Sequence, residues 1–357
     1  MSFKFYSSIV AQTEPVFIDK GNISQWVCNN TAITGKVLLD SYKGGNFNNI
    51  VYAPRLGGKT VLNRYNVFAK NDVQKVDFQY VPFNSNIMEN TFANCKKLNN
   101  VVNINKKVTS MPFTFLNCNT FNQNIILPSS VVSLSHTFER CYNFNQNIKI
   151  PNNVKELRMT FYECHNFQQN ILFPESVTAM YGTFFNTYYF NQNVKIPNNV
   201  TDMYSTFFRS NLNQNIKIPN KVVNLGQTFG QCHYFNQNVQ IPNSVTFMDS
   251  TFAYCHNLNQ NIQIPKGVTT LSQAFSYCNN LTGRINILST ELMNTNNTFY
   301  GSNKAKQVYF YYKYANGVYT KTYNCIILGN NGKSVINNYK WQGKNGVTCY
   351  DLGKAPW

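Results

Sequence analysis

Phenylalanine returns along this chain at a fixed interval. Phe92, Phe115, Phe138, Phe161, Phe184 and Phe207 are 23 residues apart, and Phe229, Phe252, Phe275 and Phe299 follow after 22, 23, 23 and 24. A unit of this length cannot bury its own apolar face, so a sustained period means coils that stack and cover one another. The fold class read from the sequence is therefore a repeat solenoid of about nine or ten coils with short parallel strands, flanked by small β-rich terminal modules. Such a scaffold presents a long surface, which favours recognition over catalysis.

Within one unit the pattern is equally regular. Asn-Gln-Asn follows Phe121, Phe144, Phe190, Leu212, Phe235 and Leu258; an apolar-Pro step, a Val, a Leu or Met, and Thr-Phe-x-x-Cys come after it. In Asn147–Pro151 the apolar Ile148 and Ile150 alternate with Lys149, the period of a strand. Pro151 ends ladder pairing, and Asn152-Asn153 reads as a turn. Val154, Leu157 and Phe161 then fall at spacings of three and four, compatible with a second short strand or with a helical turn. The repeated amides are read as structural, with stacked Asn and Gln side chains bonding along the axis.

The unit Phe-Asn-Gln-Asn-Ile-x-Ile-Pro-Asn-x-Val-x-x-Leu-x-x-Thr-Phe-x-x-Cys is seen most fully in Phe144–Cys164 and Phe235–Cys255. It resembles the BspA-like leucine-rich repeats, a family with a unit of the same length, an Ile-Pro-x-x-Val core, a later Ala-Phe and a closing Cys. Ala274-Phe275 keeps the Ala-Phe form, whereas Thr-Phe is usual here. The Phe-Asn-Gln run is also similar to repeats of mycoplasma-type surface lipoproteins. The resemblance covers roughly residues 90–302. It implies the leucine-rich-repeat fold and roles as adhesins, surface proteins or phage structural components. Fold does not choose among these roles.

The sequence divides into three parts: an N-terminal β-rich module and cap at 1–80, the solenoid at 81–302, and a basic, aromatic β module at 303–357. In the first part Lys36–Leu39, Asn49–Tyr52 and Val76–Val81 read as short strands broken by glycine pairs. In the last, Val308–Tyr314 and Val318–Ile327 flank Ala315-Asn316-Gly317, and Asn-Gly is a strong hairpin signal. The net charge is +17, and the final 55 residues hold eight Lys against one acid. That balance points to anionic surroundings. The partners expected are other virion proteins or a host cell-surface anionic glycopolymer or protein; nucleic acid is disfavoured, and a homo-oligomer is compatible with the pattern.

Seven of the ten cysteines (Cys95, Cys118, Cys141, Cys164, Cys232, Cys255 and Cys278) occupy one repeat position, which Thr187, Ser210 and Ser302 fill elsewhere. A slot that accepts Cys, Ser or Thr wants a small buried side chain, so free thiols are expected rather than bridges. Cys232-His233 and Cys255-His256 lie one coil apart, but no Cys-x-x-Cys pair supports a closed metal site. Neither a metal nor a cofactor is expected. No acid/base pair, nucleophile motif or phosphate-cradling glycine loop recurs, so the chain is read as non-enzymatic.

Three groups of residues are candidate contacts. Lys149, Lys195 and Lys217 share the outward strand position, and Lys195 and Lys217 repel one another unless an anion intervenes. Tyr188, Tyr189, His233, Tyr234 and His256, together with Tyr142, vary between coils just outside the Cys slot and form a prospective aromatic stripe. Tyr311, Tyr312 and Trp341 lie in the basic C-terminal module.

Met1–Ile18 lacks the long apolar run of a secretion signal, and no stretch reaches the 18 apolar residues of a membrane span. Export is then expected to avoid the Sec route. The leading reading is a non-enzymatic structural or attachment protein of a bacteriophage virion (tail, fibre or decoration component), assembled in the host cytoplasm. The alternatives are a bacterial cell-surface adhesin of BspA type exported without a Sec signal, and an intracellular protein-binding scaffold.

Overall fold

The computed structural model describes residues 87–305 except 97, 100–103, 105, 290 and 291, together with Val308 and the backbone of the strands outside that range. The chain forms two compact units, Met1–Pro174 and Glu175–Trp357. Each is built on the same coil, in a leucine-rich-repeat-like stack that contains no helix among the described residues.

The corner around the repeat Phe is a run of overlapping tight turns. In the coil of Phe115, the N–H groups of Thr114, Leu116, Cys118 and Phe121 donate to the carbonyls of Met111, Phe113, Phe115 and Cys118, each three residues back, at 3.0–3.3 Å. The intervening N–H groups point the other way. Met111, Phe113, Phe115 and Asn117 donate to Ser133, Ser135, Thr137 and Glu139 of the next coil, at 2.9–3.3 Å. Successive donors thus serve the coil itself and its neighbour in turn. The bends require a left-handed residue two positions before and two after each Phe: Phe113 and Asn117 here (φ 53° and 58°), Ser205 and Arg209 around Phe207 (φ 53° and 57°). Most of these positions hold no glycine, although the conformation is unfavourable for L-residues. The corner is neither of the alternatives the spacing allowed, strand or helical turn.

The strand expectation for Ile-x-Ile is met in part. Ile148 and Ile150 are buried and Lys149 is exposed, as the alternation requires. Among the described coils, regular pairing on that side begins at the parallel strands β6 (Ile262–Ile264) and β7 (Ile285–Ile287). In the other described coils the parallel bridges fall five residues before the Phe, as in Ser110↔Ser133 and Asp202↔Asn224. The Asn-Gln-Asn segment is spaced by side chains instead: Asn122 Oδ1 accepts Asn145 N–H at 2.9 Å and Gln146 Nε2 at 3.0 Å, and Asn145 repeats this with Gln168 and Gln169. Pro-x-x-Val closes the intervening corner, with Val154 N–H donating to Pro151 O at 3.1 Å.

Two columns of rings fill the core. In the first unit Phe115, Phe138 and Phe161 stack at 5.5 and 5.8 Å, and Phe121, Phe144 and Phe167 run alongside at 5.9 and 6.0 Å. In the second unit Phe184, Phe207, Phe229, Phe252, Phe275 and Phe299 continue at 5.4–6.0 Å, while Leu212, Leu258 and Leu281 replace rings in the companion column. All of these positions are essentially inaccessible to water.

The repeat threonine and cysteine are internal donors. Thr137 Oγ1 reaches Met111 O of the preceding coil at 2.8 Å, and Cys141 Sγ reaches Phe115 O at 3.0 Å. The same thiol bond recurs from Cys118, Cys164, Cys232, Cys255 and Cys278, and Ser302 Oγ makes it to Phe275 O. The slot therefore selects a small donor rather than merely a small side chain, and its seven cysteines are free.

Outside the coils, β1 (Val16–Lys20), β2 (Ile23–Cys28) and β3 (Thr31–Thr34) form an antiparallel meander. β4 (Ile50–Tyr52) pairs in parallel with β5 (Lys75–Asp77), overlapping two of the runs read as strands; Lys36–Leu39 lies outside the described residues. At the other end β8 (Val308–Lys313) pairs in parallel with β7, and β9 (Tyr319–Ile327) and β10 (Val347–Asp351) extend the sheet antiparallel. The predicted hairpin forms, and it continues the sheet of the last coils.

Phe207→Ala is expected to cost about 3–5 kcal/mol, read as a lowered midpoint in denaturant unfolding. Cys141→Ser is expected to stay within about 1 kcal/mol of the parent, because a hydroxyl can keep the donation to Phe115 O.

Candidate binding surface

The turn that follows the Cys slot carries the candidate stripe, and each unit presents its own part. In the first unit Tyr142 and His165 stack at 4.7 Å. In the second, Tyr188 and Tyr189 occupy this turn in one coil, His233 and Tyr234 two coils on, and His256 in the coil after that. His233 and His256 stack at 4.7 Å with an interplanar angle of 6°. Their Nδ1 atoms lie 3.0 Å from the carbonyls of Tyr254 and Tyr277, so the backbone of the following coil fixes both imidazoles. Tyr189 and Tyr234 are 57% and 58% exposed.

Two further contributions were not evident from composition. Arg209 places its guanidinium carbon 5.2 Å from the centre of the Tyr188 ring, a cation–π contact. Tyr254 and Tyr277, both at left-handed positions, stack at 4.6 Å beside the histidines. The repeat register was the available signal, because these residues share one column two positions after the Phe. On the adjoining side of the same coils, Tyr181–Tyr204 and Phe185–Phe208 stack at 5.1 and 4.8 Å. Gly230 makes the second pair possible: a Cβ there would lie 2.9 Å from the Phe208 ring.

The lysine row is a different surface. Lys195 and Lys217 project from the outward strand position of the second unit and are exposed, and Lys149 belongs to the first unit. Glu175, one coil before Lys195, pairs with it alone of the two: its Oε1 is 3.3 Å from Lys195 Nζ. The Asn198 N–H and Lys195 hold this carboxyl below the usual range. Trp341 and the side chains of Tyr311 and Tyr312 lie outside the described residues.

Burial pushes the repeat thiols up, Cys232 to about 11 and Cys118, Cys141, Cys164 and Cys255 well above the usual value. Among the described residues no group of three metal-ligating side chains converges, and no helix is long and apolar enough to cross a membrane.

A family model described as "Mycoplasma protein of unknown function, DUF285" matches residues 61–172, 86–196, 134–239, 172–263 and 201–312. No curated protein matches the chain. Among solved structures it is similar to a leucine-rich repeat protein from Bacteroides ovatus ATCC 8483, at 19% identity over 84% of this chain and 70% of that one, with a TM-score of 0.53. A leucine rich cell surface protein from Faecalibacterium prausnitzii A2-165 is matched at 17% identity over 77% of this chain and 95% of that one, with a TM-score of 0.31. The first of these likenesses shows the leucine-rich-repeat fold.

Alkylating reagents at pH 8 are expected to leave the seven repeat cysteines unmodified in the folded chain and to label all seven in denaturant, read by peptide mass mapping because the chain holds ten cysteines. Unfolded thiols ionise near pH 8.5, whereas the folded ones stay protonated. Stability is therefore complete below that pH and declines from about pH 8.5 toward 11 as hydroxide favours the unfolded thiolates.

Proposed function

The chain belongs to the family described as Mycoplasma protein of unknown function, DUF285, and from that premise we propose that it is a non-catalytic binding protein displayed at a bacterial cell surface. The observation that carries this reading is the exposed turn face of the second unit. Tyr189 and Tyr234 are exposed on stacked coils, and Tyr234 follows His233, whose Nδ1 is already engaged by a backbone carbonyl, as is that of His256. Rings on a rigid support lose little entropy on binding and are favoured contact residues. The same arrangement suits binding better than catalysis: the thiols are sealed and protonated, and they donate to backbone carbonyls.

The family description names a protein of a cellular organism, Mycoplasma, which supports a cellular protein over a virion component. Antibodies against the purified chain are expected to stain intact producing cells, and protease applied to intact cells is expected to remove the signal. Staining that appears only after permeabilisation would remove the surface reading. Recovery of the chain in purified phage particles would restore the virion one.

A further inference from the structure

One coil of the second unit is a residue short, and the shortening falls on the exposed turn. Phe207 and Phe229 are 22 residues apart instead of 23. In the flanking coils two residues separate the small slot from the next buried anchor: Tyr188-Tyr189 between Thr187 and Phe190, and His233-Tyr234 between Cys232 and Phe235. Between Ser210 and Leu212 there is only Asn211. The flanking turns close with Phe190 N–H on Thr187 O and Phe235 N–H on Cys232 O, both at 3.0 Å. Asn211 has no room for such a turn, because Leu212 is already buried in the companion column. Elsewhere this turn is tied to the next coil, as in Asn257 N–H to His233 O and Asn280 N–H to His256 O at 3.1 Å. No such bond joins Tyr234 to Asn211 among the described residues.

The missing residue leaves a notch whose flanks are the exposed tyrosines. Rings one coil apart on this turn stack at 4.7 Å, as His233 and His256 do. Tyr189 and Tyr234 stand two coil steps apart, about 10 Å. Contacts of about 4 Å on each side then leave space for one puckered six-membered ring; a flat aromatic ring would be loose there. The polar groups at the notch are the Asn211 amide, the His233 imidazole and the Arg209 guanidinium. The contact with Tyr188 leaves guanidinium N–H donors of Arg209 to take a carboxylate. The turn segments 185–189, 208–212, 230–234 and 253–257 contain no Asp or Glu, and Arg209 is their one fixed charge.

We propose that this notch is a binding site for a single acidic pyranose, a uronic-acid type unit of a glycan, with its C–H faces on Tyr189 and Tyr234 and its carboxylate on Arg209. The inference rests on the reading of this turn face as a recognition surface and names the ligand class that it takes. The site occurs once in the described stack, because the other intervals between successive Phe positions in 184–299 are 23 or 24.

The test uses the full chain, with methyl glucuronide and methyl glucoside as probes, followed by ligand-observed NMR titration. The glucuronide is expected to bind and the glucoside to bind more weakly. Tyr189→Ala and Tyr234→Ala should each weaken glucuronide binding about tenfold without changing thermal unfolding, since both side chains are exposed. Arg209→Ala should remove the preference for the acid while leaving residual sugar binding. One Ser inserted between Asn211 and Leu212 restores the full turn and should abolish binding. Asn211→Trp, which fills the notch from an exposed position without changing chain length, should do the same. Absence of glucuronide binding by the parent chain overturns the proposal, as does unchanged binding in Tyr234→Ala or in Asn211→Trp. Tighter binding of a free aromatic compound than of either sugar also overturns it. Surface staining of producing cells is read separately: a displayed chain that binds no sugar sinks the notch alone, and a sugar-binding chain found only inside cells sinks the surface reading alone.

Discussion

The structure depends on a corner that a single coil cannot hold by itself. Two left-handed residues flank each repeat Phe, and most are bulky L-residues such as Met159, Arg209 and Tyr277. Such a backbone costs of order 1 kcal/mol or more per residue. The compensation comes from the neighbouring coil. Arg209 N–H donates to Gly230 O at 2.8 Å and Tyr277 N–H to Tyr300 O at 2.6 Å, so the strained residues are themselves the donors that tie coil to coil. Burial of the Phe column then holds the corner from inside, at about 1.5–3 kcal/mol per ring.

The rest of the repeat signature follows from that corner. Each turn carbonyl near the core already accepts one backbone N–H and has a second lone pair facing the interior. Thr228 Oγ1 reaches Met203 O and Cys255 Sγ reaches Phe229 O, so the consensus Thr-Phe-x-x-Cys supplies one side-chain donor to each of two carbonyls in the preceding coil. On the opposite side, where Pro follows the apolar pair, Asn carboxamides take over the spacing that backbone pairing provides between β6 and β7. A motif that looks like a list of preferred residues is a wiring scheme for polar groups that have left water.

Much of this was legible in the sequence because the period is strict. The Phe and Cys registers, the alternation of Ile148, Lys149 and Ile150, the Pro-x-x-Val corner and the structural role of Asn-Gln-Asn all follow from residue type and spacing. The corner geometry was not legible. Left-handed residues are usually inferred from Gly or Asn, and Phe113, Met159 and Ser205 carry no such mark. The meander of β1–β3 was also missed, because Gly44-Gly45 and Gly57-Gly58 drew the N-terminal strand reading toward later segments. At the candidate surface, His233 and Tyr234 were visible as departures from the consensus. Arg209 was not, because its partner Tyr188 lies one coil away and the contact exists only when the coils are in register.

The bridging peptides of the Phe corner point in one direction, and they outnumber the bonds of opposite sense, such as Val132 N–H to Thr109 O and Asn257 N–H to His233 O. The carbonyl of Ser135 accepts from Phe113 in the coil before, and the N–H of His136, on the same peptide plane, donates to Arg158 in the coil after. Four such peptides leave each corner and the opposing bonds are fewer, so a net dipole remains along each stack, weaker than that of a helix along its axis. The sense is reversed relative to a helix: here the N–H ends look toward the C-terminal coil, which carries the positive pole, and the carbonyl ends give the N-terminal coil the negative one. The two ends of a stack are therefore electrically unlike surfaces. At the Phe corner an element that closes the first coil must bring donors and one that closes the last must bring acceptors, so two copies meeting there are matched head to tail and mismatched head to head.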